Sequence, residues 1–517
     1  MPDLDPHTPV LVGVGQSSER LHDPEYQGHS AVALATNAAH RAITDAGATG
    51  IAAEIDTVAG IRQFENSFPE TTAPLGKSDN YPRAVATRLG ASPRRAILDV
   101  IGGQAPQHLV TEMAATIARG DSDVALVLGS EAISTTRHLA GSDEAPDFTE
   151  HVGGQLEDRG YGLDGLLSDQ AVEHGLIDPP SQYALFENAR RARLGQSRET
   201  YAHAMGELFA PFTKIAAANP HAAAPVERDA QELATPTGRN RPIADPYTRF
   251  LVARDQVNQG AATLLMSVGA ARRLGVPEHN WVFLHGHADL QERTLMARND
   301  LATSPAAALA VRHALDVAGI DLADVSAFDL YSCFPIAVFN ICDTIGLSPD
   351  DPRGLTLTGG LPFFGGAGNN YSMHAIAEAV GRARAEPGAY ALVGANGGLM
   401  SKYSVGIYST TPTDWHADHS AQLQDEVDSR PSPSVALQPE GPATIESYTV
   451  QHGRDGTRSG IVIGRLAADN RRFVATADDD TALDMLSHGE PIGRQVYVRS
   501  AAGGNRVTVG GPTQGSA

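Results

Sequence analysis

The stretch FDLYSCFPIAVFNICDTIGLSPDDPRGLTLTGGLPFFGGAGNNYSMH, residues 328–374, decides how the chain is read. It reads as a short strand (328–331), a sharp turn (332–335) and a helix running to about residue 347. A glycine-rich loop (359–370) and a second helix follow. A polar cluster at the end of a strand, followed by a glycine loop at a helix start, is where α/β proteins place chemistry.

The same scheme recurs upstream. Residues 95–101 read as a strand ending in Gly102-Gly103-Gln104, a helix follows over 107–119, and 124–129 is a continuous apolar strand. Strand, glycine turn, helix and strand make a unit of a parallel sheet. Residues 10–14 read as a buried strand that exits at Gly13-Val14-Gly15-Gln16. A third glycine and an immediate helix are missing there, which argues against a dinucleotide fingerprint. Residues 30–46 predict a helix with Ser30 as its cap and Gly47 as its stop, and 55–61 predict another strand. Residues 263–268 close this half. The second half repeats the plan with a strand at 281–288, a helix from Ser304-Pro305 to Gly319, the 328–374 stretch, a strand at 389–393 and an antiparallel mate at 404–409.

Three segments break the pattern. Residues 135–244 are polar and rich in His and Pro, and read as an insertion over a sheet edge, with helices at 182–194 and 199–209. Residues 412–435 read as a linker. From 436 the chain turns to alternating strands at 444–451, 460–466, 472–476 and 494–499, with one helix near 481–486. That is the pattern of a small closed or half-closed OB-like barrel. The expected units are 1–134 with 245–270, the insertion 135–244, 271–411, the linker, and the barrel 436–517.

Bulk properties narrow the function. A net charge of −22 repels phosphate backbones and argues against nucleic acid. No run of 18 apolar residues predicts a membrane span, and no basic segment precedes an apolar core at the N-terminus. Two cysteines, Cys333 and Cys342, fit a reducing cytoplasm. His138, His151, His174, His203 and His221 lack ligand spacing, so no metal is expected.

The order and spacing of several residues resemble the thiolase superfamily over residues 8–410. They are Ile117, Gly120, Asp123, Ala125, Gly129, Glu131 and Ser134, then Gly260-Ala261-Ala262, Tyr331-Ser332-Cys333-Phe334, and Gly359, Gly360 and Gly365. The added β tail resembles the thiolase-like type 1 group. The implied fold is a duplicated five-layer α/β/α/β/α core with a loop-domain insertion and a C-terminal barrel. The resemblance alone would name the chain an acetyl-CoA acetyltransferase, with acyl-CoA or CoA as partner, a CoA thioester as substrate, no further cofactor, and a monomeric or homodimeric state. Thiolases dimerise through the strand at 95–101.

A thiolase uses a nucleophilic Cys, a His in a Gly-His-Pro loop and a second Cys in a Cys-x-Gly loop. The resemblance puts these places on Gly103, Gly366 and Ala395, and all three are vacant. Covalent acyl transfer needs an activated nucleophile beside a base. The expected function is therefore altered, non-covalent C–C bond chemistry on a CoA thioester. The alternatives are a non-catalytic acyl-CoA or lipid-binding relic, and an active thiolase using Cys333.

The candidate residues are Tyr331, Cys333, Asn370, His374 and Asn396. Tyr331 is an acid or enolate donor, or a plug in the space the lost groups left. Relatives that cleave steroid side chains by retro-aldol chemistry use tyrosines in these loops, beside a small OB-fold partner. Cys333 at a helix start would have a lowered thiol pKa, or is a buried apolar thiol. Asn369, Asn370 and Asn396 are oxyanion donors or turn residues. His374 is a relocated base or a packed histidine. His108 sits inside a helix and is not expected to reach the site, while Cys342 and Met373 read as core. A tunnel leading to Gly103 is either open or filled by Phe363, Phe364 and Tyr371.

Overall fold

The computed structural model describes residues 4–143, 145–163 and 165–510. The strands of the first half are β1 (Pro9–Ser18), β2 (Thr57–Gly60), β3 (Arg95–Leu98), β4 (Val124–Ala132), β5 (Glu157–Asp158), β6 (Pro242–Ala244), β7 (Tyr247–Thr248) and β8 (Asn258–Ser267). Those of the second are β9 (Phe283–Gln291), β10 (Val325–Leu330), β11 (Tyr390–Gly397) and β12 (Lys402–Ser409). The tail supplies β13 (Gly441–His452), β14 (Arg458–Leu466), β15 (Arg472–Ala477), β16 (Gln495–Ala501) and β17 (Gly504–Thr508).

One sheet has the order β1-β8-β4-β2-β3-β5 and the other β10-β11-β12-β9. Helices Ala105–Ala118 and Tyr371–Ala385 lie between them. Leu109, Met113 and Ile117 of the first and Met373, Ile376 and Val380 of the second share one core with Val127 of β4 and Val393 of β11. Each such burial stabilises by about 1.5–3 kcal/mol. The outer face of the first sheet is covered by helix Ala31–Asp45, that of the second by helix Pro305–Ala318. The result is the five-layer core.

β1 does not stop at Gly13 but runs on through Ser18 against β8. The glycines serve packing, not a loop exit. A Cβ on Gly13 would stand 2.0 Å from the Ala42 carbonyl oxygen, and one on Gly15 2.1 Å from that of Ala38, because helix Ala31–Asp45 lies directly on the strand. Ser30 caps that helix by accepting from Ala33 N. Ser304 makes no such cap and donates instead to Tyr403 Oη at 2.8 Å.

The insertion does more than cover an edge. β5 pairs with the outer edge of β3, Ile97 opposite Glu157 and Leu98 opposite Asp158. Beyond the pair, Arg159 N donates to Leu98 O at 3.0 Å and Ile101 N to Tyr161 O at 3.1 Å. The Arg159 guanidinium forks onto both Glu112 oxygens at 2.7 Å. At its other end the insertion adds β6 to β13, so it extends the sheet of the tail.

The tail closes as a five-stranded barrel, β14-β15-β17-β16-β13, with β13 returning to β14. Its fifth strand, β17, was not expected from the sequence. The linker also carries structure. Helix Ser420–Ser429 seals the open edge of β9: Ser420 Oγ accepts from Asp289 N at 2.9 Å and Gln424 Oε1 from Gln291 N at 2.7 Å. Two side chains thus stand in for a neighbouring strand. Among the described residues no helix is long and apolar enough to cross a membrane.

Candidate functional site

The Tyr331–Phe334 turn follows β10 and leads into helix Pro335–Ile345. Tyr331 N donates to Gly394 O of β11 at 2.8 Å, which brings the turn beside the end of that strand. A Cβ added to Gly103 would stand 2.2 Å from the Tyr331 hydroxyl and 2.5 Å from both the Tyr331 ring carbon that bears it and the Asn396 carbonyl oxygen. The phenol therefore fills the space that a side chain at 103 would need. Burial, and then the neighbouring Cys333, push its pKa up, so it stays neutral. Its ring stands edge-on to Tyr371 at 5.4 Å, Tyr371 in turn stands edge-on to Phe364 at 6.1 Å, and Phe363, Phe364 and Tyr371 are all buried.

Cys333 does not start a helix. The helix begins at Pro335 with Phe334 as its cap residue, and the thiol is buried. Burial pushes its pKa up to about 12, against the hydrogen bond from Tyr183. At pH 8 only about one thiol in 10⁴ would be ionised, which leaves little nucleophile. Native protein mixed with Ellman's reagent at pH 8 should therefore leave Cys333 unlabelled until denaturant is added. Labelling within seconds in the native state would show that the thiol is exposed and active.

Asn396 donates to Tyr183 Oη at 3.3 Å and keeps its own Oδ1 without a partner. Asn369 is saturated: it accepts from Gly102 N at 3.0 Å and donates to Arg62 O at 2.7 Å, tying the glycine loop to the loop at Gly103. That is a structural role, not an oxyanion donor's. Asn370 is buried with neither amide atom partnered, its Oδ1 packed above Gly129. His374 pairs elsewhere, its Nδ1 meeting Gln16 Oε1 of β1 at 2.7 Å. Burial, and then His221, push it down to about 3, so it is neutral at ordinary pH. The structure thus joins Tyr331, Cys333 and Asn396 around Gly103, and leaves His374 outside that group.

Sequence reasoning missed what holds the loop. Asp329 is buried at the end of β10 and accepts from Leu357 N, Thr358 N and Thr358 Oγ1 at 2.8–3.0 Å. Tyr371 donates to its other oxygen at 3.1 Å. The signal was present in a lone aspartate closing an apolar strand. Also missed was a slot of about 140 Å³ whose lining includes Arg228, Arg249, Arg254, Asp255, Phe250, Pro362 and Phe363. Ala253 N donates to Cys333 O at 3.0 Å and Arg254 N to Leu361 O at 3.1 Å, so the slot abuts the turn and the glycine loop. Burial, and then Arg249 and Arg228, hold the Arg254 pKa down, against the charge of Asp255. Arg228 lies 4.0 Å over the Phe250 ring and pairs with Glu232. Among the described residues no carboxylate comes within salt-bridge distance of Arg249 or Arg254. No group of described residues is placed to hold a metal ion.

Residues 422–502 match the family model for the thiolase-like protein type 1 additional C-terminal domain. No curated protein matches the chain. Among solved structures, a monomeric SCP2-thiolase like protein type 1 from Mycobacterium smegmatis is 52% identical, with a TM-score of 0.85 over 98% of this chain and 100% of its own. The Ltp2-ChsH2(DUF35) aldolase is 20% identical (TM-score 0.59, 78% of this chain and 98% of its own), and the acetyl-CoA acetyltransferase of Syntrophomonas wolfei 15% (0.53, 78% and 99%). At that identity these two share the fold. The two half-sheets and the closed barrel agree with the first of these matches and with the matched C-terminal domain: the chain belongs to the SCP2-thiolase-like protein type 1 family.

Proposed function

We propose that the chain binds CoA thioesters with their phosphates at the arginine slot and forms no acyl-enzyme. The observation that carries this reading is the Tyr331 hydroxyl at Gly103, 2.2 Å from where a nucleophile's Cβ would stand. Acyl transfer by the thiolase route needs a thiolate with a base beside it. The thiol at 333 is held up near 12, and the imidazole at 374 is hydrogen-bonded to Gln16. The slot supports the ligand class. Three arginines, Arg228, Arg249 and Arg254, face the slot against one carboxylate, Asp255, which favours a polyphosphate, and Phe250, Pro362 and Phe363 offer apolar surface to a pantetheine arm.

A second reading, non-covalent C–C bond chemistry on the bound thioester, is favoured by two donors, the unpartnered Asn370 Nδ2 and the neutral Tyr331 phenol, while Asn396 offers only an acceptor oxygen because its Nδ2 is spent on Tyr183. Preorganised donors can stabilise an enolate without a covalent intermediate.

The test is direct. Protein mixed with acetyl-CoA or acetoacetyl-CoA should show no added acetyl mass, while CoA should raise the melting temperature. The rise should vanish in Arg249→Gln/Arg254→Gln. An acetylated cysteine overturns the absence of an acyl-enzyme, and an absent melting shift overturns the binding of CoA. Release of a shorter acyl-CoA from a β-hydroxyacyl-CoA, lost in Tyr331→Phe, would establish the second reading.

A further inference from the structure

The insertion grips the Tyr331–Phe334 turn through one carboxylate. Helix Pro335–Ile345 opens directly after that turn, and its cap residue, Phe334, supplies no side-chain hydrogen bond. Proline has no N–H, so Ile336 carries the first main-chain donor of the helix. Glu187, on helix Pro179–Arg193 of the insertion, accepts from Ile336 N through Oε2 at 2.7 Å. The same oxygen accepts from Tyr247 Oη at 2.7 Å, and Oε1 accepts from Tyr201 Oη. Helices Pro179–Arg193 and Arg198–Ala218, β7 and the start of helix Pro335–Ile345 therefore converge on one fully buried side chain. Phe334 stacks on Tyr183 at 4.4 Å and lies 5.1 Å from the Tyr247 ring, so the turn is seated in the same cluster.

Glu187 has no cation of its own. Arg190, on the same helix, forks onto both Asp343 oxygens at 2.8 Å and reaches only the Tyr201 hydroxyl, at 3.1 Å. Among the described residues no Lys, Arg or His lies within salt-bridge distance of Glu187. A buried carboxylate without an ion-pair partner favours its neutral form. Burial pushes the pKa up from 4.5 to about 7, against the bonds from Tyr201 and Tyr247, the charge of Arg190 and the Ile336 N–H. The other titratable groups of the cluster keep their charge state in this range. Burial pushes Tyr183, Tyr201 and Tyr247 well above the ordinary phenol value and Cys333 up to about 12. Against the cost of burial, Arg190 and Asp343 hold each other ionised. A phenol accepts as well as donates, whereas an N–H only donates. A proton on Glu187 thus belongs on Oε1, where Tyr201 can turn to accept it, while Oε2 keeps Ile336 and Tyr247.

We propose that Glu187 is a proton-operated latch between the insertion and the turn that carries Tyr331 and Cys333, closed while the carboxyl holds its proton and loosened when the proton leaves. The folded state binds this proton more tightly than the unfolded chain. The stabilisation is complete below about pH 4.5 and is lost as the pH rises through about 7.

Glu187→Gln tests it, because the amide stays neutral at every pH and keeps one oxygen for Ile336. In urea unfolding of the full chain, the wild-type unfolding constant should rise over that of the variant by on the order of fifty-fold from pH 5 to 8. Hydrogen exchange of the peptide 331–340, corrected for its intrinsic rate, should quicken at least about ten-fold over that range in the wild type and not in the variant. Tyr247→Phe removes a donor that favours the ionised form, so the pH at which the rise levels off should move up. Equal pH dependence in wild type and Glu187→Gln overturns the latch. So does a pH-dependent unfolding constant with unchanged exchange at 331–340, since the carboxyl would then not act on the turn. Should Glu187→Gln fail to fold, an unmoved levelling point in Tyr247→Phe overturns it equally.

Discussion

Arg472→Ala is expected to cost about 3–5 kcal/mol of folding stability, the range for breaking a buried ion pair from one side. The side chain is fully buried, on β15 of the barrel. Its guanidinium holds both Glu446 oxygens, at 2.9 and 2.5 Å, and donates to Met296 O at 3.0 Å and to Arg298 O. Alanine would leave Glu446 with Arg465 alone and strand two main-chain carbonyls in the interior. Urea unfolding with intrinsic fluorescence measures the loss, and a drop below about 1 kcal/mol would mean that the contact is not part of the folded state's stability. The effect is large because the barrel is not a loosely hung module. Ile461, Ile463 and Val474 belong to the same apolar core as Phe186 of the insertion and Phe339 of the second half.

Gly103→Cys, which puts a thiol back where a thiolase would have one, should fail on two counts. It should destabilise by about 1–3 kcal/mol, as overpacking of a filled interior does, and it should form no acetyl-enzyme. The new Cβ would meet the Tyr331 hydroxyl at 2.2 Å and the Asn396 carbonyl oxygen at 2.5 Å. The phenol can be removed by a second substitution, whereas the carbonyl belongs to the backbone of β11. Gly103→Cys/Tyr331→Ala should therefore recover only part of the loss. Thermal melts of the single and double variants, read beside intact mass after acetyl-CoA, decide it. A stable, acetylated Gly103→Cys would mean that the space is open after all.

The order of strands and helices was legible because long apolar periods and glycine stops are local signals. What escaped were features whose causes are remote. Gly13 and Gly15 looked like a loop exit, since nothing near them in sequence reveals the helix that needs their missing side chains. β17 begins at Gly504-Asn505, a turn-like pair, and is recruited by β16 and β15. β5 is two residues long, too short for any period. Helix Ser420–Ser429 lies in polar sequence because its task is to hydrogen-bond an edge, not to bury a stripe.

In the site, the resemblance pointed to Gly103, and the structure puts the Tyr331 hydroxyl 2.2 Å from the Cβ position of that glycine, as one of the two readings of the tyrosine had it. The Cys333 argument failed by two residues: the helix opens at Pro335, so burial outweighs any dipole. Asn369 and Asn370 are neighbours with opposite fates, one saturated and one unpartnered, which composition cannot distinguish. Arg228, Arg249 and Arg254 are spread over 27 positions of sequence, and only the fold makes them one patch.

The short strand laid along β3 carries a thermodynamic corollary. Where an edge is completed by a second copy, stability includes an association step and rises with dilution's opposite, concentration. Here the N–H and C=O groups of that border find their mates within one polypeptide. Along this border the pairing is intramolecular, so its contribution to folding does not depend on protein concentration.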